Sequence, residues 1–503
     1  MMLALLAILP VLANAATISF SSTGNPILAD GSYYSADPAP LVVNNTLYIW
    51  SGRDEAPVDT NNFIMNEWQL FTTTSASPSG GSWNLYANIT RPHTVFSWAA
   101  TGTAYAAQVV QAKSGKFYLY APVTQSSTSS SDKFAIGVAV ADSPTGPWTD
   151  AHPSGPIISQ LVPSPGNSIQ NIDPTVLVDD DGKIYIYEGT FGQLRGYQLS
   201  SDMVTISSSV TTVTSLTGYF EAPWIMKRNG VYYLIYAANN AYAGSPCTPT
   251  SYHACQAYGT ASSPLGPWTF RGVILDIVSS TTSHSGVVQY NGNWYMVYHT
   301  ADATNGGHFR RSIAFDQLQW DDTQSPPAIK KIVQTKRTGT TPAATRNIAP
   351  KAVASSVNTT PIQYWTASMN DGKVPNNPLP PDYWCSYNAN LSPQTNTVVL
   401  TWSSSVALNG TRMIFFADQP AGSNIGVPPP ASWRLEYLTS SGSWANITAS
   451  TSYPVAVTNN PAEVKFTQIT TTSIRAILIA SGSGGQYGGV GIKEWEALAP
   501  TAQ

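Results

Sequence analysis

One unit recurs five times between residues 39 and 298, and it leaves this chain few ways to fold. Each copy is a β-branched run, a Gly or Asn turn, then a Tyr-rich run. The copies are Ala39–Trp50, Gln108–Tyr120, Pro174–Tyr187, Ala222–Tyr236 and Gly286–Tyr298. Two are followed by a small-residue strand ending in Ser-Pro-x-Gly-Pro-Trp, at Ser143–Trp148 and Ser263–Trp268. Asn-Gly or Asp-Gly between alternating apolar runs marks a hairpin. Hairpins repeating at roughly 45–70 residues predict the blades of a β-propeller, whose radial closure protects its sheet edges. A sandwich with long insertions would leave the repeated hairpins unexplained. The expectation is an all-β chain with a propeller of five four-stranded blades over residues 16–340, its two ends meeting to close the ring.

The pattern stops after about residue 335. Residues 341–357, rich in Thr, Ala, Pro and Lys, read as a linker. A second set of short strands over 358–503 predicts a β-sandwich: Thr397–Trp402, Arg412–Phe416, Ser432–Leu438, Ala462–Phe466, Ser473–Ala480 and Gly491–Leu498.

Charge narrows the function. Only 10% of the 503 residues are charged and the net charge is −4, which offers no footprint for nucleic acid or anionic lipid. Aromatics at 11% argue against disorder. A surface whose polarity comes from Ser, Thr, Asn and Tyr suits neutral polar ligands such as sugars. Met1–Leu12 is an apolar run followed by Ala13-Asn14-Ala15, which reads as a secretory signal peptide over 1–15 and predicts an extracellular protein. No later stretch is long and apolar enough to span a bilayer. Six sequons, at Asn44, Asn88, Asn358, Asn390, Asn409 and Asn446, fit that compartment as glycosylation candidates. Cys247 and Cys255, eight residues apart, are expected to close a loop as a disulfide, leaving Cys385 unpaired. His253, inside that loop, is expected to be exposed, with facing a ligand the other reading.

Cleaving a glycosidic bond takes two carboxyl groups, one to protonate the leaving oxygen and one to activate water or attack carbon. In so charge-poor a chain, three acids stand out at the entry to a blade's innermost strand: Asp37 in Ser35-Ala-Asp-Pro38, Asp173 in Asn171-Ile-Asp-Pro174 and Glu221 in Tyr219-Phe-Glu-Ala-Pro223. Inner strands line the channel of a propeller, so acids at one shared repeat position converge on one mouth of the axis. The acids of Asp179-Asp-Asp181 lie in a hairpin turn and are expected to be solvated.

With these motifs in this order, residues 25–335 resemble glycoside hydrolase family 43. The resemblance implies Asp37 as general base, Asp173 as the residue that tunes and orients, and Glu221 as general acid. Asp173 would raise the Glu221 pKa by like-charge repulsion. Inversion would follow, with carboxyls ~6.5–9.5 Å apart. The stretches Gly52–Pro57 and Phe63–Trp68 resemble members that remove arabinofuranosyl branches from arabinoxylan. The family commonly has a His where His284 stands, reading the sugar or linked through waters to a structural calcium on the axis; a structural His is the other reading. Trp98 and Tyr105 are candidates for stacking on a sugar, with core or inter-blade packing the other reading, and Arg310 or Arg311 for reaching the pocket. Trp224 is expected to pack between blades. The C-terminal region resembles galactose-binding-like, discoidin-type sandwiches, read here as a structural brace, with polysaccharide binding the other reading.

The sum is a secreted, inverting, exo-acting hydrolase of plant cell-wall hemicellulose, expected to be an α-L-arabinofuranosidase. It should be a monomer with no organic cofactor and no nucleic-acid or membrane partner. β-Xylosidase, exo-galactanase and β-galactofuranosidase activities stay open. A noncatalytic propeller lectin is the rival of another class, but it would have no need of three axial acids.

Overall fold

The computed structural model describes residues 16–238, 245–247, 253–336, 345–389, 392–455 and 457–502. The signal-like run, Asn390, part of the expected linker and part of the Cys247–Cys255 loop lie outside the described residues. The chain divides into two compact units. The first holds residues up to 338 without 57–61 and 250–252; the second holds those two stretches and 339–503.

The first unit is a five-bladed β-propeller. Blade one comprises Ala36–Val43, Thr46–Gly52, Trp68–Thr73 and Ser82–Thr90, with Ala16–Ser21 added on its outer edge. Blade two is Gln108–Gln111, Phe117–Thr124, Phe134–Ala141 and Thr149–Asp150. Blade three is Thr175–Val178, Ile184–Glu188, Leu194–Leu199 and Thr211–Val213. Blade four is Tyr219–Arg228, Val231–Ala238, Cys255–Ala261 and Thr269–Leu275, and blade five is Ser285–Tyr290, Asn293–Thr300 and Ser312–Leu318. The inner hairpins turn as the sequence demands. Asn44-Asn45, Asn229-Gly230 and Asn291-Gly292 all take positive φ at both central positions, which matches the twist of paired strands.

Not every blade has four ladder strands. Blade one has five and blade five has three, its fourth place taken by residues 25–35 from the chain's other end. Ile27 N–H donates to the Ile313 carbonyl (2.9 Å) and Ser35 N–H to the Arg311 carbonyl (2.7 Å). The Asn25 side chain accepts from Phe315 N–H at 2.8 Å and donates to its carbonyl at 3.1 Å. This segment, rich in Ser, Gly and Pro, makes isolated bonds rather than a ladder, and these bonds close the ring.

Apolar residues pack between adjacent blades: Tyr120, Ile136 and Val138 of blade two meet Val176, Ile186 and Tyr197 of blade three. The polar tips of large aromatics then pin each blade to the next. Trp50 Nε1 donates to the Pro144 carbonyl (3.2 Å), Tyr120 Oη to Met203 (2.7 Å) and Tyr187 Oη to Pro264 (2.9 Å). Tyr233 Oη reaches Pro327 just beyond blade five (2.8 Å), and Tyr290 Oη returns from blade five to Ser75 of blade one (3.0 Å). Two acceptors, Pro144 and Pro264, lie in the Ser-Pro-x-Gly-Pro-Trp turns. Trp224 is buried, as expected. A Cβ on Gly286 would stand 2.2 Å from Pro40 and 3.0 Å from the Trp224 ring, so only glycine fits where these inner strands meet.

Two expectations fail here. Asp179 is buried rather than solvated: it takes Lys227 Nζ at 2.6 Å and the Tyr232 hydroxyl, joining blade three to blade four. His253 is also buried, with Nδ1 3.0 Å from the Ser280 carbonyl. Its described neighbours Ala254 and the disulfide-bonded Cys247 and Cys255 are buried as well.

The second unit is sandwich-like and built on a seven-stranded sheet. The expected strands Thr397–Trp402 and Arg412–Phe416 are one strand, Thr395–Phe416; Ala462–Phe466 and Ser473–Ala480 likewise fuse into Val464–Ile479. The polar, exposed Ser403-Ser-Ser405 reads as a loop, but the strand runs through it with an irregular register. The long strand changes partners along its length. Val398–Thr401 pair with Val353–Ser356, and Gly410–Phe416 with Gly491–Leu498, around a core that includes Trp402, Phe415, Trp433 and Trp495. Val353–Ser356, expected as linker, is thus a strand of this sheet, its alternation too short of apolar residues to show. Cys385 is a free, buried thiol whose pKa burial pushes up to about 12. Asn44, Asn88 and Asn446 are exposed, Asn88 accepting from Arg91 Nε at 2.9 Å, and the half-buried Asn358 and Asn409 accept hydrogen bonds from Thr397 N–H and Arg346.

Candidate active site

A proline cannot donate to a sheet ladder, so a strand that opens on Asp-Pro or Ala-Pro must break register there. Asp37 and Asp173 sit directly before Pro38 and Pro174 at φ +55° and +57°, a left-handed conformation that is costly for a residue other than glycine. In blade four the same conformation falls on Ala222, at φ +55° before Pro223. Strand pairing agrees. Blade one slips between Ala36 and Ala39, blade four between Glu221 and Trp224, so Glu221 matches Ala36 and Ala222 matches Asp37. The three acids therefore do not share one repeat position: the two aspartates do, and Glu221 stands one residue earlier on a bulged strand. A bulge re-aims side chains, and all three acids line one cavity of about 90 Å³ with His284, Tyr105 and Arg311.

Their surroundings differ. Asp37 Oδ1 accepts from Arg311 Nη1 at 2.9 Å, and Asp37 N–H donates to His299 Nδ1 at 3.1 Å. His299 Nε2 must then carry the proton, donated to the Thr282 carbonyl at 3.0 Å. Burial pushes the His299 pKa down to about 3, so this imidazole is neutral. Burial is the largest single influence on Asp37 and would raise it, but the Arg311 charge, the neighbouring His284 and His299 and the Arg311 hydrogen bond together outweigh it and hold the carboxyl below its ordinary value. Arg311 is fixed in turn by Asp54, with Nε and Nη2 on its two oxygens at 2.9 and 3.0 Å.

Asp173 and Glu221 go the other way. Among the described residues Asp173 Oδ2 accepts only the Ala222 N–H, at 3.1 Å; burial, then the neighbouring Glu221, push its pKa well up. Glu221 Oε2 accepts from Thr190 Oγ1 at 2.9 Å, and burial raises its pKa to about 7. Burial rather than repulsion is thus the main cause at Glu221. One cavity holds an ionised carboxylate beside a pair that retains a proton near neutrality.

The family model for glycosyl hydrolases family 43 matches residues 23–326. The chain belongs to that family. A xylosidase/arabinosidase of Bacteroides ovatus is 28% identical over 332 residues, covering 57% of this chain and 92% of the relative. An arabinoxylan arabinofuranohydrolase of Bacillus subtilis is 29% identical over 311 residues, covering 55% and 57%. Among solved structures, a beta-xylosidase/alpha-arabinofuranosidase from a compost microbial metagenome, in complex with xylotriose, is similar at TM-score 0.50 and 26% identity, covering 63% of this chain and 98% of that one. The protein is a glycoside hydrolase of an inverting family.

Within this family 43 propeller the other candidates separate. His284 and Tyr105 line the cavity, His284 with Nδ1 3.9 Å from Asp37 and its pKa lowered by burial. Arg311 lines it too. Arg310 does not, because its Nε donates to the Asn305 carbonyl at 2.8 Å within its own loop. Trp98 is also elsewhere, packed 5.3 Å from Phe96 with Nε1 on Asp150. Asp54, His299, Thr190 and Thr282 were not singled out by sequence; each matters through a partner hundreds or tens of residues away. Phe63 and Met65 complete the wall, Phe63 with its ring 5.0 Å from the Arg311 guanidinium. They lie in the second stretch that resembles arabinoxylan-debranching members. Residues 52–56 and 62–67 fold against each other through Glu55 N–H to the Ile64 carbonyl (2.8 Å) and Arg53 to Glu67 (2.8 Å).

Calcium takes six to eight oxygen ligands. Near His284 the described residues offer an imidazole, a carboxylate already paired with Arg311 and two hydroxyl residues, Thr282 and Ser283; no group of three or more His, Cys, Asp or Glu there or elsewhere among them is set to hold an ion. These residues do not make a direct calcium cage, and no chemistry is assigned to one.

Glu188 ends the second strand of blade three, two residues before Thr190. Both its oxygens are buried with no hydrogen-bond partner among the described residues, and burial raises its pKa to about 8. A carboxyl raised in the folded state stabilises fully below its unfolded pKa, and that contribution is lost as pH climbs through the folded value. The span from 4.5 to about 8 corresponds to roughly 4–5 kcal/mol at the limit. Glu188→Gln, which cannot ionise, should flatten the fall in Tm between pH 5 and 9. A Tm profile unchanged from the parent's would show that Glu188 does not carry it.

Proposed function

We propose that this enzyme is a secreted, exo-acting α-L-arabinofuranosidase that removes arabinofuranosyl branches from arabinoxylan with inversion. The observation that carries the chemistry is the opposed protonation within one cavity: Asp37 held ionised by Arg311, and the Asp173–Glu221 pair holding a proton. Asp37 as general base takes a proton from water as that water attacks the anomeric carbon. Glu221 as general acid delivers its proton to the leaving oxygen as the glycosidic bond breaks. Asp173 orients the site and, through the Ala222 N–H, ties itself to the strand that carries the acid.

A cavity of about 90 Å³ is small against the ~300–1,000 Å³ of sites for drug-sized ligands, which favours a single terminal sugar over a threaded polymer. Similarity to proteins named arabinoxylan arabinofuranohydrolase and xylosidase/arabinosidase supports hemicellulose as the substrate. The Phe63 and Met65 wall supports the arabinofuranosidase reading. The Cys247–Cys255 disulfide and the apolar Met1–Leu12 run support secretion. β-Xylosidase activity is the second reading, favoured by relatives whose names join both sugars.

Products from wheat arabinoxylan, arabinan and xylo-oligosaccharides test this. Arabinose released from arabinoxylan with the xylan backbone left intact is expected. Xylose alone would move the assignment to the second reading, and no monosaccharide from any of them would overturn both.

A further inference from the structure

The turn that holds Glu221 carries an unusual neighbour. Among the described residues Phe191 is the one exposed aromatic, 65% open to solvent, and it stands at φ +53°. A bulky residue in that conformation persists only where its surroundings enforce it. Here Gly192 N–H donates to the Phe220 carbonyl (3.0 Å), Gln193 N–H to Thr190 (3.1 Å) and Gly189 N–H to Ile172 (3.0 Å). Glycines flank the site at 189 and 192, yet the strained, exposed position between them is given to Phe. Its ring meets Phe220 edge-on, with centroids 5.6 Å apart and planes at 79°. Phe220 precedes Glu221, and Thr190, which precedes Phe191, donates to the Glu221 carboxyl.

We infer that Phe191, braced by Phe220, is a platform for the sugar on the leaving side of the scissile bond, a pyranose ring of the polysaccharide backbone stacking its C–H face on the aromatic ring. An acid that protonates the leaving oxygen has the departing sugar on its own side, and Phe191 is the exposed apolar surface next to that acid. This rests on Glu221 being the general acid. A buried cavity wall would need no exposed ring, and a purely structural turn would put glycine at φ +53°.

The test compares two leaving groups on one glycone: an arabinofuranosyl-substituted xylo-oligosaccharide and the methyl arabinofuranoside, which has no second ring. If product analysis identifies xylose instead, the matching xylosides serve, so a wrong glycone leaves the test standing. Phe191→Ala should lower kcat/KM on the oligosaccharide about three- to tenfold, chiefly through KM. It should leave the methyl glycoside unchanged and weaken inhibition by free xylotriose by the same factor. Phe191→Tyr should restore all three values. Phe191→Gly should lose the oligosaccharide preference while its Tm holds or rises, because the strain is relieved. Equal losses on both leaving groups, undiminished xylotriose inhibition, or a lower Tm in Phe191→Gly would each overturn the platform and make Phe191 a packing residue.

Discussion

Glu221→Gln should nearly abolish release of sugar from natural polysaccharide while sparing much of the activity on a nitrophenyl glycoside. A sugar alkoxide leaves poorly and needs its proton; a nitrophenolate departs largely unaided. General acid catalysis is typically worth ~10²–10⁴-fold, so the contrast between substrates should span at least two orders of magnitude. The parent enzyme should lose activity as pH rises past about 7, where Glu221 gives up the proton that burial holds on it. That alkaline limb should vanish in the Gln variant assayed on the aryl substrate. Equal losses on both substrates in a folded variant would mean that another residue is the acid.

Asp37→Asn should cost about 10²–10⁴-fold on both substrates, because water must be activated whichever group leaves. The loss should fall in kcat. The fold should survive, since Arg311 keeps both bonds to Asp54 and the His299 contact uses the Asp37 backbone. In the parent Arg311, by charge and hydrogen bond, together with His284 and His299 keeps Asp37 ionised to below its ordinary pKa of 3.8, so activity should fall on the acid side only under strongly acidic conditions. A variant that turned over the aryl glycoside at the parent rate would remove Asp37 from the role of base.

Local chemistry was legible and long-range chemistry was not. Asn-Gly turns and Tyr-rich strands announce hairpins, and five of them announce a propeller, because each signal lies within a dozen residues. The acids were visible because prolines mark their strand entries and few other charges compete. Their relative placement was not: one residue of bulge separates Glu221 from the aspartates, and motif spacing alone made the three equivalent. Asp54 and His299 act only through Arg311 and Asp37, over 257 and 262 residues of sequence, and nothing local distinguishes them. Trp98 and Arg310 resembled ligand contacts by type, yet Arg310 is turned to Asn305 within its own loop and Trp98 to Asp150 at the edge of blade two. In the second unit, Ser403-Ser-Ser405 looked like a break because composition reports exposure and not backbone pairing.

The five aromatic pins, from Trp50 round to Tyr290, have a consequence for how the molecule comes apart. A stack of repeats has two ends and can peel from either, one interface at a time. A hoop has none: freeing any blade breaks two pinned junctions together, whichever blade goes first. Partial opening is therefore confined to the clasp at residues 25–35, where single hydrogen bonds stand in for a ladder. That clasp runs directly into Ser35 and Asp37, so the first loosening of the hoop would also dismantle the catalytic mouth. Heat inactivation should precede bulk loss of β-structure, and the propeller should then unfold in a single cooperative step rather than blade by blade.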